Sequence, residues 1–142
     1  MVYFAKFEPD PDGGFVVEFP DFGWGVSQGD DEEDGRRMAT DLLTTMVQEH
    51  IRTGKELPKP GKFRGPKYRL IRLPASQGMK AELYLALRSS GMKKAQLARR
   101  IGISKDQMDR LLDLSRRARI EQIEAAFAAL GKQLTIGIRD AA

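Results

Sequence analysis

Residues 94–112, KAQLARRIGISKDQMDRLL, hold two short apolar stripes divided by a breaker. At helical period Leu97, Ala98 and Ile101 form the first stripe, and Met108, Leu111 and Leu112 the second. Gly102 stands between them, suited to the left-handed residue that ends a helix. Ile103 and then Ser104 follow, serine being a favoured helix N-cap. Ala98 is the small residue needed where two helices cross closely. The spacing predicts a helix-turn-helix, a steeply angled pair around a turn of three or four residues, although an ordinary αα-hairpin can share it.

Charge divides the chain around this stretch. Residues 1–60 hold six Lys/Arg and thirteen Asp/Glu, a net −7, whereas residues 61–142 hold eighteen and seven, a net +11. The basic half carries the helix-turn-helix and suits a polyanion; the acidic half suits something basic. With 41% hydrophobic and 31% charged residues, the composition is that of a folded globular protein. No apolar run approaches the roughly 18 residues of a membrane span, and MVYFAKFEPD lacks the pattern of a signal peptide. The absence of cysteine excludes disulfide and thiol chemistry, and makes a reducing cytoplasm the expected compartment.

Upstream, Tyr3, Ala5 and Phe7 alternate with Lys6 and Glu8, as in a half-buried strand. PDPDGG at 9–14 is a hairpin turn, and Phe15, Val17 and Phe19 mark the returning strand. A short third strand is expected at Gly25–Ser27. A long helix follows, capped by Asp30 with Glu33 as reciprocal partner, its acidic first turn matching the helix dipole. Its buried stripe is expected along Met38, Leu42, Met46, Val47 and Ile51. Residues 67–73 read as a closing strand, giving β-β-(β)-α-β, an antiparallel sheet with a helix on one face. The domain boundary is expected at Pro74–Lys80, dividing the chain into 1–74 and 75–142. Ala81, Leu83, Tyr84 and Leu87 mark a helix before the helix-turn-helix; Ile120, Ile123, Phe127 and Leu130 mark another after it. Leu134, Ile136 and Ile138 alternate last, a lone strand that must pair with the sheet or with a second copy. The fold class is thus α+β, with an all-α C-terminal domain ending in a short strand.

Few residues suggest chemistry. Asp10, Asp12, Glu18, Asp21, Asp30, Asp31, Glu32 and Glu33 could hold Mg²⁺ for phosphodiester hydrolysis only if several projected from mid-strand into one cleft. Here Asp10 and Asp12 lie in a turn and 31–33 in a helix start, so no enzyme is expected. His50 is the only histidine, without a motif partner, and no metal or nucleotide motif is present, so no cofactor is expected. Phe22 and Trp24, in a glycine-rich loop, either plug the small core or anchor a partner. In a helix-turn-helix the second helix enters the major groove, which places Ser104, Lys105, Asp106, Gln107 and Arg110 at base edges. Lys93, Lys94 and Gln96 before it, and Arg116, Arg117 and Arg119 after it, are placed for phosphates.

Taken together, YFAKFEPDPDGGFVVEFPDF, GVSQGD opening a helix, HIRTGKELPKP after it, KAQLARRIGISKDQMDRLL and the closing ALGKQLTI resemble the HicB antitoxin family, in the subgroup with a C-terminal Xre/Cro-type helix-turn-helix. Trp24, where a small residue is expected, and Gly35, inside the long helix, depart from the pattern. The resemblance implies a partial RNase H-like N-terminal fold without nuclease activity. It also implies a domain that neutralises a HicA-type toxin, a small basic RNA-cleaving protein, and a second domain that represses its own operon by binding double-stranded operator DNA as a dimer. Asp10, Asp12, Asp21, Phe22 and Trp24 are then the candidate toxin contacts. The homodimer or higher oligomer would form through Leu134–Ile138, with no membrane involved. The rival readings are a stand-alone repressor whose N-terminal domain senses a ligand or oligomerises, and a metal-dependent ribonuclease.

Overall fold

The computed structural model describes residues 1–141. Val2–Pro9 (β1) shows why alternation makes a strand: Tyr3, Ala5 and Phe7 all turn inward and are at most 1% exposed. Phe15–Glu18 (β2), Ser27–Gly29 (β3) and Tyr68–Arg72 (β4) complete an antiparallel sheet of order β3-β2-β1-β4. Val17 pairs with Phe7, and Ile71 with Tyr3, so their side chains join the same inner face. The third strand lies two residues later than the sequence suggests. Gly25, at a φ of +79°, keeps the preceding loop out of the ladder.

Glu32–Thr53 (α1) covers that inner face. Its cap is Asp31 rather than Asp30, because the chain stays extended through Asp31. The Asp31 carboxylate accepts from the Asp34 N–H (2.8 Å), and the Asp34 carboxylate accepts from the Asp30 N–H (2.9 Å). The buried face is also turned from the expected one. Gly35, Ala39, Leu43, Met46, Val47 and Ile51 are buried, whereas Met38 and Leu42 are only half so. The cause is a close approach of helix and sheet. A Cβ on Gly29 would lie 2.4 Å from the N and Cα of Gly35, and one on Gly35 would lie 2.7 Å from the Phe7 ring. Small residues must therefore face the sheet where α1 begins. That accounts for Gly35 inside a helix.

Only Leu73, itself buried, and Pro74 separate β4 from Ala75–Ser90 (α2). Residues 75–80, expected in a connection, are the first turns of this helix. The Tyr84 hydroxyl donates to the Lys55 carbonyl (2.7 Å) and the Arg88 guanidinium to the Gly54 carbonyl (2.5 Å), fastening α2 to the end of α1. Lys94–Ile101 (α3) packs on Lys105–Leu112 (α4) and Ile120–Ala129 (α5), which themselves pack on α2, and the buried apolar residues of all three continue the core begun under the sheet.

The closing strand at Leu134–Ile138 is not formed within this chain. An extended segment becomes a strand only when a neighbour takes its backbone groups, and this one pairs with no other strand among the described residues. Ile136 and Ile138 are 73% and 96% exposed.

Candidate functional site

The stretch 94–112 folds as two eight-residue helices around the turn 102–104. Gly102 is left-handed (φ +71°), and the Ile103 N–H closes the end of α3 on the Ala98 carbonyl (3.0 Å). Leu97, Ala98, Met108 and Leu111 are buried together with Ile123 and Phe127 of α5. Three of the residues singled out for nucleic acid hold these helix starts. Ser104 Oγ accepts from the Gln107 N–H (3.1 Å) and Gln107 Oε1 accepts from the Ser104 N–H (2.9 Å). Gln96 Oε1 likewise accepts from the Lys93 N–H (2.9 Å).

Others are engaged by carboxylates. Lys94 Nζ lies 2.9 Å from Asp109, and Asp106 meets Arg116 at 3.3 Å and Arg110 at 3.4 Å. Hydrogen bonding from Arg116, reinforced by its charge and that of Arg110, holds the Asp106 carboxyl below the usual carboxylate range. Lys93, Lys105 and Arg117 are exposed and make no ion pair among the described residues. Arg119, at the start of α5, is likewise exposed and in no ion pair among the described residues, so four of the cations singled out are free beside α3–α4, with two guanidiniums held in place by Asp106.

Sequence reasoning missed the residue that sets this geometry. Lys80 on α2 is 2% exposed, and its ammonium donates to the carbonyls of Arg110 (2.9 Å), Asp113 (2.5 Å) and Arg116. It closes the C-terminal end of α4 and the turn that carries Arg116 and Arg117. Burial pushes its pKa down, as do Arg116 and Arg110, against the opposing pull of Asp113. A signal was available. Lys80 shares a helical face with Leu83, Tyr84 and Leu87, where a charge belongs only if it has buried partners. From α1, the Gln48 side chain accepts from the Leu114 N–H (2.6 Å), so the same turn is also held by the sheet module.

The candidates at the N-terminal end separate into two groups. Phe22 is half-buried against Tyr3 (4.9 Å between centroids), Phe19 and His50. Asp21 accepts from the Gly61 N–H (3.0 Å), tying down the loop after α1. Trp24 is 43% exposed and stacks on His50 at 6.4 Å, with Val26 beside it in the chain at 65%. Asp10 accepts from the Asp12 N–H (2.9 Å) in the hairpin. That hairpin abuts the start of α1, since a Cβ on Gly14 would lie 2.2 Å from the Gly29 carbonyl and 3.1 Å from the Asp30 Cα. Asp10, Asp12, Asp30, Asp31 and Glu33 therefore sit at one end of the module. Among the described residues, no group of three or more His, Asp or Glu is placed to hold a metal ion. No helix among them is long and apolar enough to cross a membrane.

The fold changes the arithmetic of charge. Through Pro74 the chain holds eleven Lys/Arg and thirteen Asp/Glu, a net −2, because β4 and the loop before it add five cations. The sheet module is polarised rather than acidic throughout.

Residues 2–82 match the family model described as HicB_like antitoxin of bacterial toxin-antitoxin system. Antitoxin HicB 1 of Photorhabdus laumondii is 32% identical over 138 residues, spanning 97% of this chain and 87% of that protein. Antitoxin HicB of Escherichia coli strain K12 is 30% identical over 136 residues, 96% of this chain and 98% of that one. A solved chain from a toxin-antitoxin complex of Streptococcus pneumoniae is 18% identical, with a TM-score of 0.47, covering 68% of this chain and 92% of its own.

Proposed function

The chain belongs to the HicB-like antitoxins of bacterial toxin–antitoxin systems, and from that premise we propose that it neutralises a HicA-type RNA-cleaving toxin and represses its own operon. In this reading residues 1–74 hold the toxin and residues 75–142 hold operator DNA. The observation that carries the DNA half is the α3–α4 pair, whose buried stripe leaves Lys93, Lys105 and Arg117 unpaired on the surface. α4 enters the major groove by its N-terminal end, Arg110 reads a base, and Lys105 and Arg117 meet phosphates. Two copies pair through Leu134–Ile138, which covers Ile136 and Ile138 and places two reading helices roughly 34–36 Å apart.

Arg110→Ala is expected to cost about 1–3 kcal/mol on operator DNA and little on a scrambled duplex. Arg117→Ala should weaken both and reduce the salt dependence by about one unit. Fluorescence anisotropy at several salt concentrations separates the two; an equal loss on both duplexes for Arg110→Ala would remove its base-reading role.

The toxin is engaged through Trp24, the exposed aromatic anchor, which stacks on His50 near the end of α1 opposite the acidic cluster. Trp24→Ala is expected to weaken capture of the toxin about tenfold or more while leaving operator binding unchanged. Titration calorimetry with the toxin checks this, and an unaltered Kd would exclude Trp24 from the interface.

A further inference from the structure

We propose that the outer face of the sheet binds single-stranded nucleic acid. α1 covers only the inner face. On the other side, alternation places Phe4 and its cross-strand partner Leu70, and Lys6 with its partner Tyr68. Leu70 is 48% exposed. Phe63, from the loop before β4, stacks on Tyr68 at 5.2 Å (23°) and meets Phe4 edge-on at 6.2 Å, so three half-buried rings form a row across the face.

The charge around this row is positive. Residues 57–81 contain seven Lys/Arg and no Asp/Glu. Lys62 and Arg64 flank Phe63 in the chain and are exposed, and Arg72 lies opposite Val2 on the same face. None of the three makes an ion pair among the described residues. Two carboxylates share the face. Glu8 is neutralised by Lys67 (2.7 Å) and Lys6 (3.7 Å), and Glu18 lies opposite Lys6. Lysine bonding holds the Glu8 carboxyl below its ordinary range, so it stays charged and paired.

A sheet bearing a row of rings, with cations along one edge, is chemically suited to unpaired bases: the π-faces take bases and the cations take phosphates. Paired bases keep their faces inside the stack, and a basic protein is repelled by the same edge. This site lies away from α3–α4, so the two can be tested apart.

The test uses the full chain and fluorescence anisotropy with twelve-nucleotide oligo-U RNA, oligo-dT DNA and a duplex. At least one single strand should bind. Phe63→Ala should weaken it about tenfold or more, consistent with loss of one stacked base. Lys62→Glu with Arg64→Glu should abolish it, while Arg117→Ala leaves it within about twofold. A preference for oligo-U assigns a role to the 2′-hydroxyl, and equal binding assigns recognition to stacking and charge alone; both support the site. Absence of binding to either strand overturns it. So does loss through Arg117→Ala, or wild-type binding by the charge-reversed pair. Those two surface positions decide the matter if circular dichroism shows that Phe63→Ala does not fold.

Discussion

Lys80→Met is expected to lower the free energy of unfolding by about 3–5 kcal/mol, among the largest effects available to a single change in this chain. Methionine fills a similar volume but donates nothing. The carbonyls of Arg110, Asp113 and Arg116 would lose a buried partner together, each at a cost of about 1–3 kcal/mol where water cannot replace it. A fall in Tm of about ten degrees should accompany the loss, and urea and thermal melts measure both. A change below about 1 kcal/mol would mean that solvent reaches those carbonyls. Linkage gives a second readout. Burial lowers the folded pKa of Lys80 from its ordinary 10.5. Between that lowered value and 10.5 the unfolded chain binds more protons, so this group makes the fold more stable as pH rises. The methionine variant should lack that rise.

Gly29→Ala is expected to cost about 3 kcal/mol, at the upper end of overpacking effects. The new methyl would meet the backbone of Gly35 at 2.4 Å, and backbone on both sides cannot rotate away. Gly35→Ala provides the contrast. There the methyl meets the edge of the Phe7 ring, a side chain that can yield, and alanine also favours the helix by about 1 kcal/mol. Gly35→Ala should therefore lose less than Gly29→Ala in urea melts. Equal stability of Gly29→Ala and the natural chain would contradict the close packing of β3 on α1.

Legibility followed the kind of partner each residue has. Tyr3, Ala5 and Phe7 were readable because an alternating strand exposes its period whatever lies opposite. α1 was found, but its face was turned, because large apolar residues dominate such a reading while Gly35 and Ala39 make the nearest contact. The position of Lys80 on an apolar helical face was legible, but its partners were not, because they are backbone carbonyls thirty and more residues away. Leu134–Ile138 has the pattern of a strand, yet pattern alone cannot supply the neighbour a strand needs.

At the candidate DNA surface the relevant residue types were legible but their engagement was not. Ser104 and Gln107 fit a capping box as well as they fit base edges, and the structure has them capping each other. Asp106, which reads as a groove contact, lies between Arg110 and Arg116. At the other end, dividing the chain at residue 60 gave −7 and concealed that the edge strand of the same sheet is basic.

The passage from β4 to α2 leaves no slack between the two halves, and Tyr84, Arg88 and Gln48 brace the corner from both directions. Such a molecule behaves as a bracket rather than a flail. On the proposed reading, a toxin held by the sheet module would stand at one bearing from a double helix held by the far arm, so its bulk and its neighbours on the promoter would be dictated by the shape of the elbow.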